Sequence, residues 1–259
     1  MYRRPFKSVA FVSLLCLFLV SPALISGTHN EPVDNSLADC AGLSPATAAA
    51  TFPKTPSELL TSEADALYDS MRLKRFGLTR TAFEYAWKGY KILLEKGKLG
   101  RDQVLSICDF SQSSKRKRLY IIDIEQRKML LNTYVAHGRN SGGEYARSFS
   151  NNPESHKSSL GFYITRHTYY GEHGLALKID GVEQGINDNA NERNIVVHGS
   201  QYVGQNFLRS NKFNGRSYGC PAVPAKETQK VIKTIQDGSC LFIYHPTKYY
   251  LTKSRILNG

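Results

Sequence analysis

Cysteines and long hydrophobic runs are both scarce in this sequence of 259 residues. Five cysteines are too few for a small fold held together by disulfides. The longest apolar run, residues 9–20, is interrupted only by Ser13 and is shorter than the roughly 20 residues of a transmembrane helix. With 41% hydrophobic, 11% aromatic and 22% charged residues, the composition excludes a disordered chain, a collagen-like chain and a polytopic membrane protein.

The N-terminus has no acidic residue before position 31, whereas three basic residues precede the apolar run: Arg3, Arg4 and Lys7. Small residues follow the run, and this order is typical of a secretory signal peptide, which we expect to span residues 1–27. An uncleaved N-terminal anchor is the alternative. We therefore expect export, with membrane contact only transiently through this segment or as that anchor.

The next part of the chain changes from linker to helix. Proline, alanine, threonine and serine dominate residues 28–55, which we interpret as a linker. The sequence TPSE, beginning at Thr55, is typical of a helix N-terminus, and Thr81 with Glu84 resembles the capping box of a second helix. These signals predict a helical hairpin over residues 56–100.

Beyond residue 100 the sequence consists of short runs rich in β-branched and aromatic residues, separated by serine, asparagine and glycine. The runs are 104–110, 118–124, 128–138, 160–166, 175–180, 194–199 and 241–244. A single late helix is predicted near 225–237. We therefore predict a mainly β fold, a mixed sandwich or barrel-like domain over residues 101–259, preceded by the helical hairpin. The basic cluster KRKR at 115–118 is interpreted as a solvated hairpin tip, with a binding patch as the alternative.

Several common catalytic motifs are missing from the sequence. It has no CxxC pair, no HExxH and no phosphate-binding glycine loop after a strand. His167 and His173 lie six residues apart, but no third ligand has a suitable spacing. We therefore expect no metal and no cofactor.

Cys220 differs from the other cysteines because it lies in the sequence GRSYGCPAVP, between Gly219 and Pro221. A tight turn there would expose the sulfur and place backbone N–H groups beside it. A thiol needs a base to form a thiolate, and N–H donors stabilise the oxyanion of a tetrahedral intermediate. The candidate base is His198, at the end of a β run. Residue types alone leave a second interpretation open, in which Cys220 is a small core residue and His198 a structural one.

Several ordered blocks carry a resemblance to a known family: NTYVAHGRNSG, SSLGFYIT, YYGEHGLALKIDGVEQGINDNANERNIVVHG and GRSYGCPAVP. In this order and spacing they resemble the catalytic domain of murein L,D-transpeptidases, the YkuD-like family, over roughly residues 104–244. The resemblance implies peptidoglycan stem peptides as the partner, no nucleic acid, and the bacterial periplasm or cell envelope as the location of the exported protein. The net charge of +12 suits such an acidic partner.

The resemblance also implies a role for each matched residue. Cys220 would be the nucleophile and His198 the general base, with the carbonyl of Gly199 orienting the imidazole. The backbone at Gly219 and Cys220 would form the oxyanion hole. The enzyme would attack a murein tetrapeptide at the L-centre of diaminopimelate, release D-Ala, and form a thioester that an amine resolves.

Two departures from the family pattern concern substrate contacts. Many relatives have Ser-His-Gly-Cys, whereas this sequence has Ser217 followed by Tyr218, whose hydroxyl could replace the missing imidazole. Relatives often carry arginine or asparagine two residues after the cysteine, where this chain has Ala222. The candidates for contact with substrate are therefore Ser217, Tyr218, Arg216 and His173.

Three alternatives to a transpeptidase differ from it in acceptor, in activity or in the order of the two residues. An L,D-carboxypeptidase would use the same residues with water as the acceptor. A non-catalytic murein-binding protein would need neither Cys220 nor His198. A papain-like endopeptidase would have its cysteine before its histidine, the reverse of the order here. We expect aromatic residues on the loop between His198 and Cys220 to shield a thioester and favour aminolysis. They are Tyr202, Phe207, Phe213 and Tyr218.

Overall fold

The computed structural model describes residues 55–172 and 174–259. The predicted signal peptide, the predicted linker up to residue 54, and the candidate residue His173 lie outside these ranges. The helices are α1 Pro56–Ser70, α2 Arg80–Glu95, α3 Gln205–Leu208, α4 Thr228–Ile235, α5 Lys248–Lys253 and α6 Arg255–Asn258. The strands are β1 Val104–Asp109, β2 Leu119–Asp123, β3 Lys128–Thr133, β4 Gly161–Gly171, β5 Gly174–Gly181, β6 Val196–Ser200, β7 Ala222–Pro224 and β8 Cys240–Tyr244.

All eight strands form one mixed sheet in the order β3-β2-β1-β8-β4-β5-β6-β7. Two neighbouring pairs are parallel, β1 with β8 and β6 with β7, and the other pairs are antiparallel. The central strands β1 and β8 are buried along their whole length, which explains why their apolar runs are continuous rather than alternating. The predicted class, mainly β with a helical hairpin and a late helix, is confirmed.

Four short elements were not predicted, and the first of them is α3, a four-residue helix in the loop between His198 and Cys220. β7 has only three residues and ends in Pro224, and proline is tolerated there because β7 lies at the edge of the sheet. α5 and α6 follow β8 and are also short. The late helix was predicted, and it occupies the centre of its expected range.

The predicted start of α1 is confirmed, whereas the predicted start of α2 is wrong by two residues. Thr55 caps α1 in a capping box with Glu58 and is followed by proline, as expected. The expected cap of α2 at Thr81 is wrong, because Thr79 holds that position and its hydroxyl accepts a hydrogen bond from the N–H of Ala82 at 3.3 Å. Leu78, the residue before Thr79, is buried. The helix therefore begins two residues earlier than the sequence predicted.

The basic cluster at 115–118 is only partly the solvated tip that the sequence predicted. Lys115, Arg116 and Lys117 are exposed, whereas Arg118 is fully buried. The Arg118 guanidinium donates to the carbonyls of Val135 and Gln112, at 3.1 and 2.7 Å. These acceptors compensate the lost hydration, which explains how a charged side chain occupies the interior.

The helical hairpin packs against the sheet and shares its hydrophobic core. The contact is closest at Gly89 of α2, where a Cβ atom would lie 1.9 Å from Cζ of Phe162 on β4. The Phe162 ring in turn stacks on Phe242 of β8 at 4.1 Å. A glycine at this position therefore lets the helix approach the sheet. In the described part of the chain, no helix is long and apolar enough to span a membrane.

We predict that Gly89→Ala destabilises the protein. Alanine is favoured over glycine in a helix by about 1 kcal/mol, but the added methyl group would overlap Phe162, and overpacking costs about 1–3 kcal/mol. Thermal unfolding should show a lower Tm for Gly89→Ala and little change for Lys88→Ala on the same helix. A Tm raised by Gly89→Ala would contradict this account of the contact.

Candidate active site

Two neighbouring strands bring Cys220 and His198 together. The parallel pairing of β6 with β7 places His198 opposite Ala222. Continuing this register by two residues places Val196 opposite Cys220, and the N–H of Val196 indeed lies 3.5 Å from Sγ of Cys220. Val196 and His198 lie two residues apart on one strand, so their side chains share a face of the sheet. The thiol and the imidazole therefore face the same side of the sheet.

The turn before Cys220 has a defined hydrogen-bond pattern. The Ser217 hydroxyl donates to the carbonyl of Cys220 at 2.6 Å and accepts from the N–H of Gly219 at 3.1 Å. Gly219 has φ +126°, and a Cβ atom there would lie 2.9 Å from the carbonyl oxygen of Lys157. Only glycine fits such a conformation and such a close approach. Ser217 thus stabilises the turn, and the Gly219 N–H expected at the oxyanion hole already has a partner.

His198 is buried, and a backbone carbonyl sets its tautomer. Its Nδ1 lies 3.0 Å from the carbonyl oxygen of Gly199. A carbonyl can only accept, so Nδ1 carries the proton and Nε2 of the neutral ring is the basic nitrogen. This contact is the one that the family resemblance implies for Gly199.

Cys220 opens onto a cavity of about 510 Å³ that is also lined by His198, Ser217, Tyr218 and Arg216. Burial raises the pKa of the Cys220 thiol, while the Val196 N–H and the charge of Arg193 act in the opposite direction. The sulfur lies 3.6 Å from the carbonyl oxygen of Asn194. Because the net shift is upward, the resting group is a thiol at neutral pH, and forming a thiolate there would need a base.

Two further predicted residues lie at the edge of this cavity. Tyr218 is 63% exposed, and its ring lies 4.4 Å from that of His156, so an imidazole from another part of the chain adjoins the tyrosine. Arg216 donates to the carbonyls of Gly142 and Arg139, at 3.1 and 3.4 Å. These contacts hold the guanidinium in place at the cavity wall. His173 lies outside the described residues.

Comparison with protein families decides the classification. Residues 74–244, well over half of the chain, match the family of L,D-transpeptidase catalytic domains. The chain belongs to this family. No match is found among curated proteins.

Solved structures that are similar to this chain include three bacterial proteins. An L,D-transpeptidase from Mycobacterium smegmatis has 10% identity and a TM-score of 0.34, covering 55% of this chain and 59% of its own. L,D-transpeptidase 3 from Mycobacterium tuberculosis has 10% identity and a TM-score of 0.34, covering 55% and 61%. The helical cell shape determining protein Pgp2 from Campylobacter jejuni has 16% identity and a TM-score of 0.38, covering 63% and 55%. This chain spans less than two thirds of the length of each.

In this L,D-transpeptidase domain, Arg193 is a site residue that the sequence analysis missed. Its guanidinium donates to the carbonyls of Ser150 and Lys157, at 2.8 and 2.5 Å, and to the hydroxyl of Ser159 at 2.9 Å. It thereby fastens the 150–159 segment beside Cys220. Burial lowers the pKa of Arg193, whose charge favours the thiolate of Cys220. The sequence signal that could have identified Arg193 is its position in the block NERNIVVHG, five residues before His198.

We predict that Arg193→Gln slows alkylation of Cys220 at neutral pH. Removing a nearby positive charge raises the thiol pKa, and each unit of increase lowers the thiolate fraction about tenfold. Iodoacetamide rates measured against pH should shift to higher pH in Arg193→Gln and less in Arg193→Lys, which keeps the charge. An unchanged profile in folded Arg193→Gln protein would exclude this role.

His137 was also missed by the sequence analysis, and it lies buried beside the turn that carries Cys220. Its Nδ1 lies 2.7 Å from Nη2 of Arg118, so Nδ1 accepts and the ring is neutral. Burial, and then the charge of Arg118, lower the pKa of His137 to about 3. Its backbone carbonyl accepts from the N–H of Ser217 at 3.1 Å, and the N–H of Arg139 donates to the Ser217 carbonyl at 2.7 Å. The 136–139 segment therefore supports the turn that carries Cys220.

The lowered pKa of His137 predicts acid sensitivity. The unfolded chain takes up a proton on this histidine below about pH 6.5, whereas the folded protein does not until about pH 3. The unfolded state therefore binds more protons in that window, and stability falls as the pH falls, by about 1.4 kcal/mol per pH unit. In His137→Asn, whose Oδ1 can accept from Arg118 without titrating, urea unfolding between pH 4 and 6.5 should show a shallower slope. An equal slope in both proteins would refute this assignment.

Proposed function

We propose that this protein is a cysteine L,D-transpeptidase that acts on peptidoglycan stem tetrapeptides, with Cys220 as nucleophile and His198 as general base. The observation that carries the proposal is their placement in one cavity, with His198 on β6 and Cys220 on the turn before β7, in a domain that belongs to the L,D-transpeptidase family. The Gly199 carbonyl supports the assignment of the base, because it leaves Nε2 of His198 as the basic nitrogen.

The proposed reaction proceeds in two acyl-transfer steps. Nε2 of His198 takes the Cys220 proton as Sγ attacks the carbonyl carbon of the third stem residue. The tetrahedral intermediate then collapses, the bond to D-Ala breaks, and the imidazolium returns its proton to the leaving amine. The amine of a second stem attacks the resulting thioester and regenerates the thiol.

The oxyanion needs a backbone donor close to the attacked carbonyl. The Gly219 N–H donates to Ser217, whereas the N–H of Cys220 makes no hydrogen bond to any other residue in the described ranges. We therefore assign the Cys220 N–H as the main donor to the developing oxyanion.

Transfer is proposed over hydrolysis because the loop between His198 and Cys220 is braced. The Asn214 side chain accepts from the N–H of Gly204 at 2.8 Å and donates to the carbonyl of Ser114 at 2.5 Å. Tyr202 and Tyr218 from this loop line the cavity of Cys220. An ordered aromatic wall supports exclusion of water from a thioester. Consistent with the signal peptide predicted at 1–27, we propose that the protein acts in the cell envelope.

The proposal predicts that the purified protein converts tetrapeptide-rich murein into cross-linked products that depend on Cys220. Muropeptides analysed by mass spectrometry should show L,D-cross-linked dimers with wild-type protein and none with Cys220→Ala. Cys108→Ala and Cys240→Ala are matched controls, because both thiols are fully buried in β1 and β8 and should affect stability only.

Other products would change the assignment in specific ways. Tripeptide as the sole product at high acceptor concentration would establish an L,D-carboxypeptidase instead. Cross-links formed by folded Cys220→Ala protein would eliminate Cys220 as the nucleophile.

A further inference from the structure

A second cavity adjoins the one that holds Cys220. Its volume is about 450 Å³, and the two cavities share Arg216 and Tyr218 as a common wall. Neither Cys220 nor His198 lines this second cavity, so the bond that breaks cannot lie within it. A ligand held there would instead approach the thioester across Tyr218.

The lining of this second cavity is strongly cationic. Arg139, Lys212 and Arg216 contribute three exposed positive charges, and no acidic residue lines it. Within the described ranges, none of the three forms an ion pair with a carboxylate. Glu144, the acidic residue nearest to Arg139 in the sequence, accepts a hydrogen bond from the Ser113 hydroxyl. These cations are therefore available to an anionic ligand.

Aromatic side chains adjoin these charges, and hydrogen bonds hold the Arg216 guanidinium in position. Phe207 and Phe213 also line the cavity, and the Arg216 guanidinium lies 5.8 Å from the ring centroid of Phe213. Because Arg216 also donates to two backbone carbonyls, less side-chain entropy is lost when it binds a ligand. A guanidinium group held in position beside apolar walls suits a carboxylate on a peptide rather than a small hydrated ion.

We propose that this cationic cavity binds the carboxylates of the acceptor stem peptide and so presents the acceptor amine to the thioester on Cys220. This inference rests on the proposed function and extends it to the second substrate. A murein stem carries carboxylates on its D-glutamate and diaminopimelate residues, and the diaminopimelate also carries the amine that must reach the thioester. The cavity's charge, size and position beside Tyr218 match those requirements.

The test is direct binding in a protein that cannot react. Cys220→Ala protein is titrated calorimetrically with the stem tripeptide L-Ala-γ-D-Glu-diaminopimelate, which has no D-Ala to release, and with the same tripeptide whose carboxylates are amidated. Adding Arg139→Gln and Lys212→Gln should weaken tripeptide binding by about tenfold or more, since charge-assisted hydrogen bonds are lost. Binding of the amidated peptide should be weak and insensitive to these substitutions.

A matched control carries the same loss of charge elsewhere. Arg209→Gln on the same loop and Lys226→Gln are exposed positions outside both cavities and should leave the tripeptide Kd unchanged. Equal weakening in the control, or equal weakening for the amidated peptide, would overturn the proposal. Because no turnover is involved, this failure is distinct from failure of the proposed function, which would appear as wild-type protein that forms no thioester with tetrapeptide.

Discussion

Parallel hydrogen bonding between β6 and β7 is the constraint on which the site depends. It places His198 opposite Ala222 and Val196 beside Cys220, although the cysteine and the histidine are far apart in the chain. The relative position of the thiol and the imidazole is therefore set by backbone register rather than by flexible side chains. A slip of the short strand β7 by one residue would turn Cys220 to the opposite face.

The support for β7 comes from the 136–139 segment, which flanks the turn on its other side. The N–H of Ala136 donates to the carbonyl of Ala222 at 2.8 Å, and the backbone around Ser217 pairs with His137 and Arg139. Behind that segment lies the buried guanidinium of Arg118, which forms no ion pair with a carboxylate in the described part of the chain. Two carbonyls and the neutral His137 satisfy it instead, and a protonated His137 would oppose that charge. The turn that carries Cys220 thus rests on a buried polar cluster that tolerates one protonation state.

Sequence patterns predicted the features that depend on local periodicity, and missed those that depend on tertiary contacts. The strand runs, the cap at Thr55 and the late helix follow from spacing and capping chemistry, and the ordered blocks around His198 and Cys220 indicated the family. The position of Thr79 as the second cap was missed because Thr79 and Thr81 are both suitable residues, and only the hydrogen bond from the Ala82 N–H to Thr79 distinguishes them. Arg118 resembled a surface charge within KRKR, since its acceptors come from backbone carbonyls that no sequence pattern marks. Arg193 acts through contacts to a segment some 40 residues away, which only the fold brings together.

Intact-protein mass spectrometry tests the central claim most directly. Incubated with a murein tetrapeptide and no acceptor, the protein should gain the mass of the peptide without its D-Ala, and peptide mapping should place that adduct on Cys220. An adduct on another residue, or none in folded protein while tetrapeptide is still consumed, would contradict a thioester mechanism at this turn.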